Sequence, residues 1–138
     1  MKNETKDWQN YTIENLDSLK IFFESCLCNP CLQNVQQSVE KALKLIFIEK
    51  SIKIKRTYDM LELKYLSRNN GLDVDISDDE CDFLNTIDLP SKYPLGNVLP
   101  DFEPDEEICK YAIEIAEKAF NSVKQILTGV SDSEKWIK

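Results

Sequence analysis

Apolar residues recur every three to four positions along most of this chain, and that spacing fixes what it can fold into: helices that each bury one stripe. Leu16, Leu19, Phe22, Phe23, Cys26 and Leu27 predict a first helix over roughly residues 13–28, after a polar tail at 1–12. Asn29-Pro30 reads as an N-cap followed by proline at the first helical position. The second helix then runs to about Glu49, with Leu32, Val35, Val39, Leu43, Ile46 and Phe47 on its apolar face. So short a link makes the pair an antiparallel hairpin. Lys50 to Arg56 forms a basic connector in which Ile52 and Ile54 suit a brief extended piece. Thr57 is the expected cap of a third helix that ends at Asn70-Gly71. Ser77 with Glu80 matches a capping box, opening a fourth helix to about Asp88.

Residues 89–104 hold four of the five prolines and are expected to form a long loop. The last helix starts near Pro104, where Asp105, Glu106 and Glu107 suit the positive end of the helix dipole. Its stripe is Ile108, Tyr111, Ala112, Ile115, Ala119, Val123 and Ile126, and Gly129 reads as its C-terminal cap. Residues 130–138 form a tail with no clear partner, from which Trp136 could pack back. The expected fold is all-α: an antiparallel up-and-down bundle of about five helices over residues 13–129. The first, second and fifth helices make its long part, with Val39, Leu43, Phe22, Ile115 and Ala119 near the centre.

Composition narrows the function classes. A chain of 138 residues fits one domain with a core of its own. Its 25 acidic and 17 basic side chains give a net charge of −8, which argues against non-specific nucleic-acid binding; no DNA partner is expected. The charge is unevenly placed: Lys50, Lys53, Lys55 and Arg56 lie close together, and Asp73 to Asp82 is acidic. The acidic stretch lacks the central glycine and terminal glutamate of a calcium loop, and reads as a solvated turn plus a helix N-terminus. No run of about 18 apolar residues occurs, so no membrane span is expected. Met1 to Asn10 is polar and unlike a signal segment, so a cytoplasmic protein is expected. There is no histidine, which removes the side chain that most readily exchanges protons near neutrality.

Three local patterns, in order, carry a family resemblance: Gln36-Gln37-Ser38-Val39-Glu40-Lys41-Ala42-Leu43-Lys44, then Lys55-Arg56-Thr57-Tyr58-Asp59-Met60, then Ser91-Lys92-Tyr93-Pro94 before an acidic-capped helix. Together they resemble the HEPN domain, over roughly residues 14–128. The resemblance implies a small up-and-down helical bundle, commonly a homodimer and often encoded beside a nucleotidyltransferase-like partner in a toxin–antitoxin-like system. Some members cut RNA through an arginine and a nearby histidine; others bind nucleotides or proteins. This chain reads Arg56-Thr57-Tyr58-Asp59-Met60 where relatives often carry a histidine, and Arg68 has none downstream. A tyrosine, with a reference pKa of about 10, does not replace an imidazole. The implied protein is a variant without the ribonuclease motif: a non-catalytic module, nucleotide-binding or paired with a partner. The alternatives are a pure assembly module and, third, a ribonuclease of altered chemistry. No cofactor is implied.

Gln37, Glu40, Lys41 and Lys44 fall on one helical face by their spacing. That face reads as a groove in which Lys41 and Lys44 meet phosphate and Glu40 orients one of them, as a solvated face with a Glu40–Lys44 pair, or, given the resemblance, as a dimer surface. Lys53, Lys55 and Arg56 suit a phosphate or an acidic partner, or simply keep the connector charged. Lys92 and Tyr93 would add a cation and a stacking ring if the loop folds over that face; otherwise Tyr93 and Pro94 anchor the loop. No glycine-rich phosphate loop is present.

Cys26, Cys28 and Cys31 stand as C-x-C-x-x-C, with Cys81 and Cys109 single. The odd count favours free thiols in a reducing compartment. Cys26 belongs to the apolar face and is expected in the core. Half a zinc site and a redox pair, with Cys31 activated by a helix N-terminus, are the lesser readings.

Overall fold

The computed structural model describes residues 1–53, 59–92 and 105–129. Among them lie five helices and no strand: α1 (Asn3–Glu24), α2 (Cys28–Glu49), α3 (Met60–Asn69), α4 (Asp78–Lys92) and α5 (Glu106–Thr128). The bundle is built around α2. Leu32, Val35, Val39, Ala42, Leu43 and Ile46 are fully buried there, and so are Gln36, Ser38, Leu45 and Phe47. A helix covered on most of its sides has to be surrounded, and α2 packs against each of the other four.

Contacts between the helices fix their directions. Three residues separate α1 from α2, so the two form a hairpin. Met60 and Asp59 meet Asn85, whereas Lys64 meets Asp78, so α3 and α4 run in opposite senses. Glu80 meets Lys118 and Phe83 meets Tyr111, so α4 and α5 are also opposed. Cys109 at the start of α5 donates to the Cys28 carbonyl at the start of α2, so these two begin at the same end of the bundle.

Local chemistry sets the boundaries. α1 begins about ten residues earlier than its apolar stripe predicts, so the expected polar tail at 1–12 is helix from Asn3 onward. Its inward positions there are Thr5 and Thr12, both buried, which no apolar periodicity can reveal. α2 begins at Cys28 with Leu27 as N-cap, so Pro30 sits at the third helical position and not the first. Proline is tolerated there because the N–H groups of the first turn have no acceptor within the helix. Asp59, not Thr57, caps α3: its Oδ1 accepts the Leu61 N–H at 3.0 Å. Thr57 lies outside the described residues, as do Ile54, Lys55 and the tail with Trp136.

The capping box at α4 closes as expected, Ser77 N–H to Glu80 Oε1 at 2.8 Å and Glu80 N–H to Ser77 Oγ at 3.1 Å. The helix continues to Lys92, four residues into the expected loop, whose part from 93 to 104 lies outside the described residues. Asp105 caps α5 through the Ile108 N–H at 2.8 Å, and Gly129 ends it at φ 68°.

Of the five residues expected at the centre, Val39, Leu43, Ile115 and Ala119 are buried and Phe22 is half-buried. Tyr111, placed on the buried stripe by its spacing, is 43 % exposed and lies edge-on to Phe83. Cys109, Ala116 and Phe120 are buried on α5 in addition to the expected stripe.

Candidate functional site

Because the core claims most of α2, its open surface is a narrow strip, and the polar residues singled out by spacing lie on it. Gln37, Glu40, Lys41 and Lys44 are all half-buried. Lys44 Nζ lies 3.0 Å from Glu40 Oε2, an ion pair one turn apart. A pair of this kind is worth about 0.3–0.5 kcal/mol, so it organises the strip more than it stabilises the helix.

Lys41 has a different partner. Its ammonium stands 3.8 Å from the centre of the Tyr11 ring, within the range of a cation–π contact. Tyr11 in turn neighbours Trp8, with ring centres 6.0 Å apart and planes inclined at 57°. Both rings face outward, 51 % and 42 % exposed. Asp7, Trp8, Tyr11 and Lys41 line a recess of about 330 Å³ between α1 and α2. Apolar periodicity does not reveal Trp8 and Tyr11, because they lie in the stretch that reads as a polar tail. Their i, i+3 spacing is the available signal, and it has meaning only once the segment is known to be helical.

Of the other residues proposed from sequence, Arg56 and Tyr93 lie outside the described residues, as does the side chain of Lys92. Lys50 and Lys53 are exposed just after α2. Asp59, within the Arg56-Thr57-Tyr58-Asp59-Met60 stretch, has a structural task. Beyond capping α3, its Oδ1 accepts the Asn85 amide at 3.0 Å, and Asn85 Oδ1 accepts the Met60 N–H at 3.1 Å.

Two further concavities differ in chemistry. One, of about 520 Å³, brings Asp73, Asp75, Glu114 and Glu117 around Lys118, an acidic basin unsuited to phosphate. Lys118 is held by both oxygens of Glu80 at 2.7 and 2.8 Å. Burial by itself would raise the Glu80 pKa, but Lys118 and the Ser77 N–H outweigh it and hold the carboxyl below the ordinary glutamate range. The other, of about 690 Å³, runs between α1 and α5 and is floored by Ile13, Leu16, Phe23, Ile113 and Phe120.

The cysteines sort by position. Cys26 is exposed, contrary to the core position its spacing suggests, because it lies beyond the end of α1 with φ 59°. Cys31 is buried and its thiol is pushed up in pKa by that burial, the reverse of activation by a helix N-terminus. Cys109 is likewise pushed up, chiefly by burial, and Cys81 is raised to about 11 for the same reason. These thiols stay protonated and unreactive near neutrality. Among the described residues, no group of three or more Cys, Asp or Glu side chains is arranged to hold a metal ion. No described helix is long and apolar enough to cross a membrane.

The family model for the HEPN domain matches residues 5–126. Two crystal structures share the architecture. That of TT1696 from Thermus thermophilus is 20 % identical with a TM-score of 0.71, over 90 % of this chain and 98 % of that one. That of ST0689, an archaeal HEPN homologue, is 22 % identical with a TM-score of 0.64, over 92 % and 99 %. No curated protein matches.

Proposed function

This chain belongs to the HEPN domain family, and on that premise we propose that it is a non-catalytic member that binds a nucleotide and works in the cytoplasm beside a nucleotidyltransferase-like partner, as in a toxin–antitoxin-like system. The observation that carries the nucleotide reading is the α2 strip. Two lysines one turn apart stand on the open side of the central helix, one held by Glu40 and the other against an exposed ring. Preset cations meet phosphate at a lower entropic cost than free ones. The non-catalytic reading rests on the missing imidazole.

A thermal-shift screen against ATP, other nucleotides and magnesium tests it, with the Lys41→Ala, Lys44→Ala double variant as control. A ligand at about 100 times its Kd adds about 2.7 kcal/mol of stability, a shift of several degrees for a chain of this size. The expected result is a shift in the wild type that the double variant loses. No shift with any nucleotide would overturn the reading.

A second reading, assembly as a homodimer, is favoured by the groove between α1 and α5, where half-buried Ile13, Leu16, Phe23 and Ile113 lie open beside buried Phe120. A charge placed there, Ile113→Glu, is expected to convert a dimer to a monomer by light scattering. A monomeric wild type at high concentration would remove this reading.

A further inference from the structure

We propose that the recess between the start of α1 and the middle of α2 is a purine site: the base lies against Trp8 and Tyr11, and the phosphates run toward Lys41. The inference rests on the nucleotide reading above and gives it a place and a base class. Three observations carry it. First, two neighbouring aromatic rings, Trp8 and Tyr11, line the recess and stay partly exposed there, with Lys41 over one face of Tyr11. Neighbouring rings exposed on one helix are not needed by the core, and flat bases stack on such faces. Second, the volume of about 330 Å³ sits at the lower end of small-molecule pockets, about 300–1,000 Å³. It is large enough for a base. Third, the polar groups are placed for the rest of the ligand. The hairpin register sets Lys2 opposite Glu49 and Tyr11 opposite Lys41, which brings Trp8 level with Lys44. Lys41 therefore stands at the Tyr11 end of the recess, and Lys44 one turn on is level with Trp8. Asp7, on the rim, can only accept hydrogen bonds when ionised. It repels phosphate, and it suits the N–H edge of a base. The ligand's polarity follows: base toward Asp7, phosphates toward Lys41 at the Tyr11 end. The two-ring platform favours the larger purine face over a pyrimidine.

The test uses Trp8 as its own reporter. In a Trp136→Phe background Trp8 is the only tryptophan, and its fluorescence is followed during titration with ATP, GTP, UTP and adenosine. Expected are saturable quenching by both purine nucleotides, weaker binding of adenosine and weaker binding of UTP. Trp8→Ala and Tyr11→Ala, read by calorimetry, each weaken ATP binding about tenfold, the effect of losing a stacked base. Circular dichroism is expected to be unchanged, because neither side chain belongs to the buried core. If the thermal shift with nucleotide persists, with Trp8 unquenched and both alanine variants binding as wild type does, the recess assignment is overturned while the nucleotide reading stands. If no nucleotide binds by any readout, both fall. Equal binding of UTP would overturn the purine assignment. Quenching that depends on protein concentration and not on nucleotide would make Trp8 a contact between copies and overturn the site.

Discussion

Cys26 and Ser51 occupy the position after a helix end that glycine usually fills. Each has positive φ, 59° and 55°. Each sits in a paired-bond terminus, Leu27 N–H to Phe22 O with Cys26 N–H to Phe23 O, and Ile52 N–H to Phe47 O with Ser51 N–H to Ile48 O. Gly71 does the same after α3, where Leu72 N–H bonds Ser67 O, without the steric cost of a Cβ. Cys26→Gly is therefore expected to raise stability by about 0.5–1 kcal/mol in urea denaturation, with no change in the helical spectrum. A loss of stability would show that the thiol contributes more than its backbone conformation costs. Glu80 makes a pH-dependent prediction. Its folded pKa is depressed, so its contribution is complete above the ordinary value of 4.5 and is lost as pH falls through the folded value. Asp78, held low by Lys64 and then by Tyr65, acts in the same sense. Glu80→Gln should lower stability at neutral pH and flatten the acid limb of a stability–pH curve. An acid limb unchanged in the variant would contradict the role given to Lys118.

Among the elements, α2 has the least tolerance for change, since it is the helix that packs against all the others. Leu43 is fully buried at its middle, and Leu43→Ala is expected to cost about 2–5 kcal/mol, seen as a shifted urea midpoint at unchanged slope. The α3–α4 pair depends instead on one side chain. Asn85 donates to the Asp59 cap and accepts from the Met60 N–H, so it ties the start of α3 to α4. Asn85→Ala leaves a part-buried donor without its acceptor and is expected to cost about 1–3 kcal/mol. Hydrogen exchange should show the loss concentrated in α3. Uniform loss across the bundle would mean that α3 does not open separately.

For the whole molecule, the prediction is negative catalysis: purified protein leaves RNA uncut, and Arg56→Ala changes nothing. Cleavage abolished by that variant would restore an enzymatic reading. Much of this molecule was legible in its residues. The helices followed from apolar spacing, the capping box of α4 from Ser77 and Glu80, and the family from the three quoted motifs. The absence of imidazole chemistry followed from composition alone. The start of α1 was not legible, because its inward positions are threonines, and neither was the recess that depends on it. Tertiary structure also decided which thiols are buried, bringing Cys109 to Cys28 from 81 residues away, and gave Lys41 to Tyr11 while Lys44 kept its neighbour Glu40. The physical reason is common to all of these. Periodicity states which residues share a face of one helix, but what stands opposite that face depends on how the helices pack.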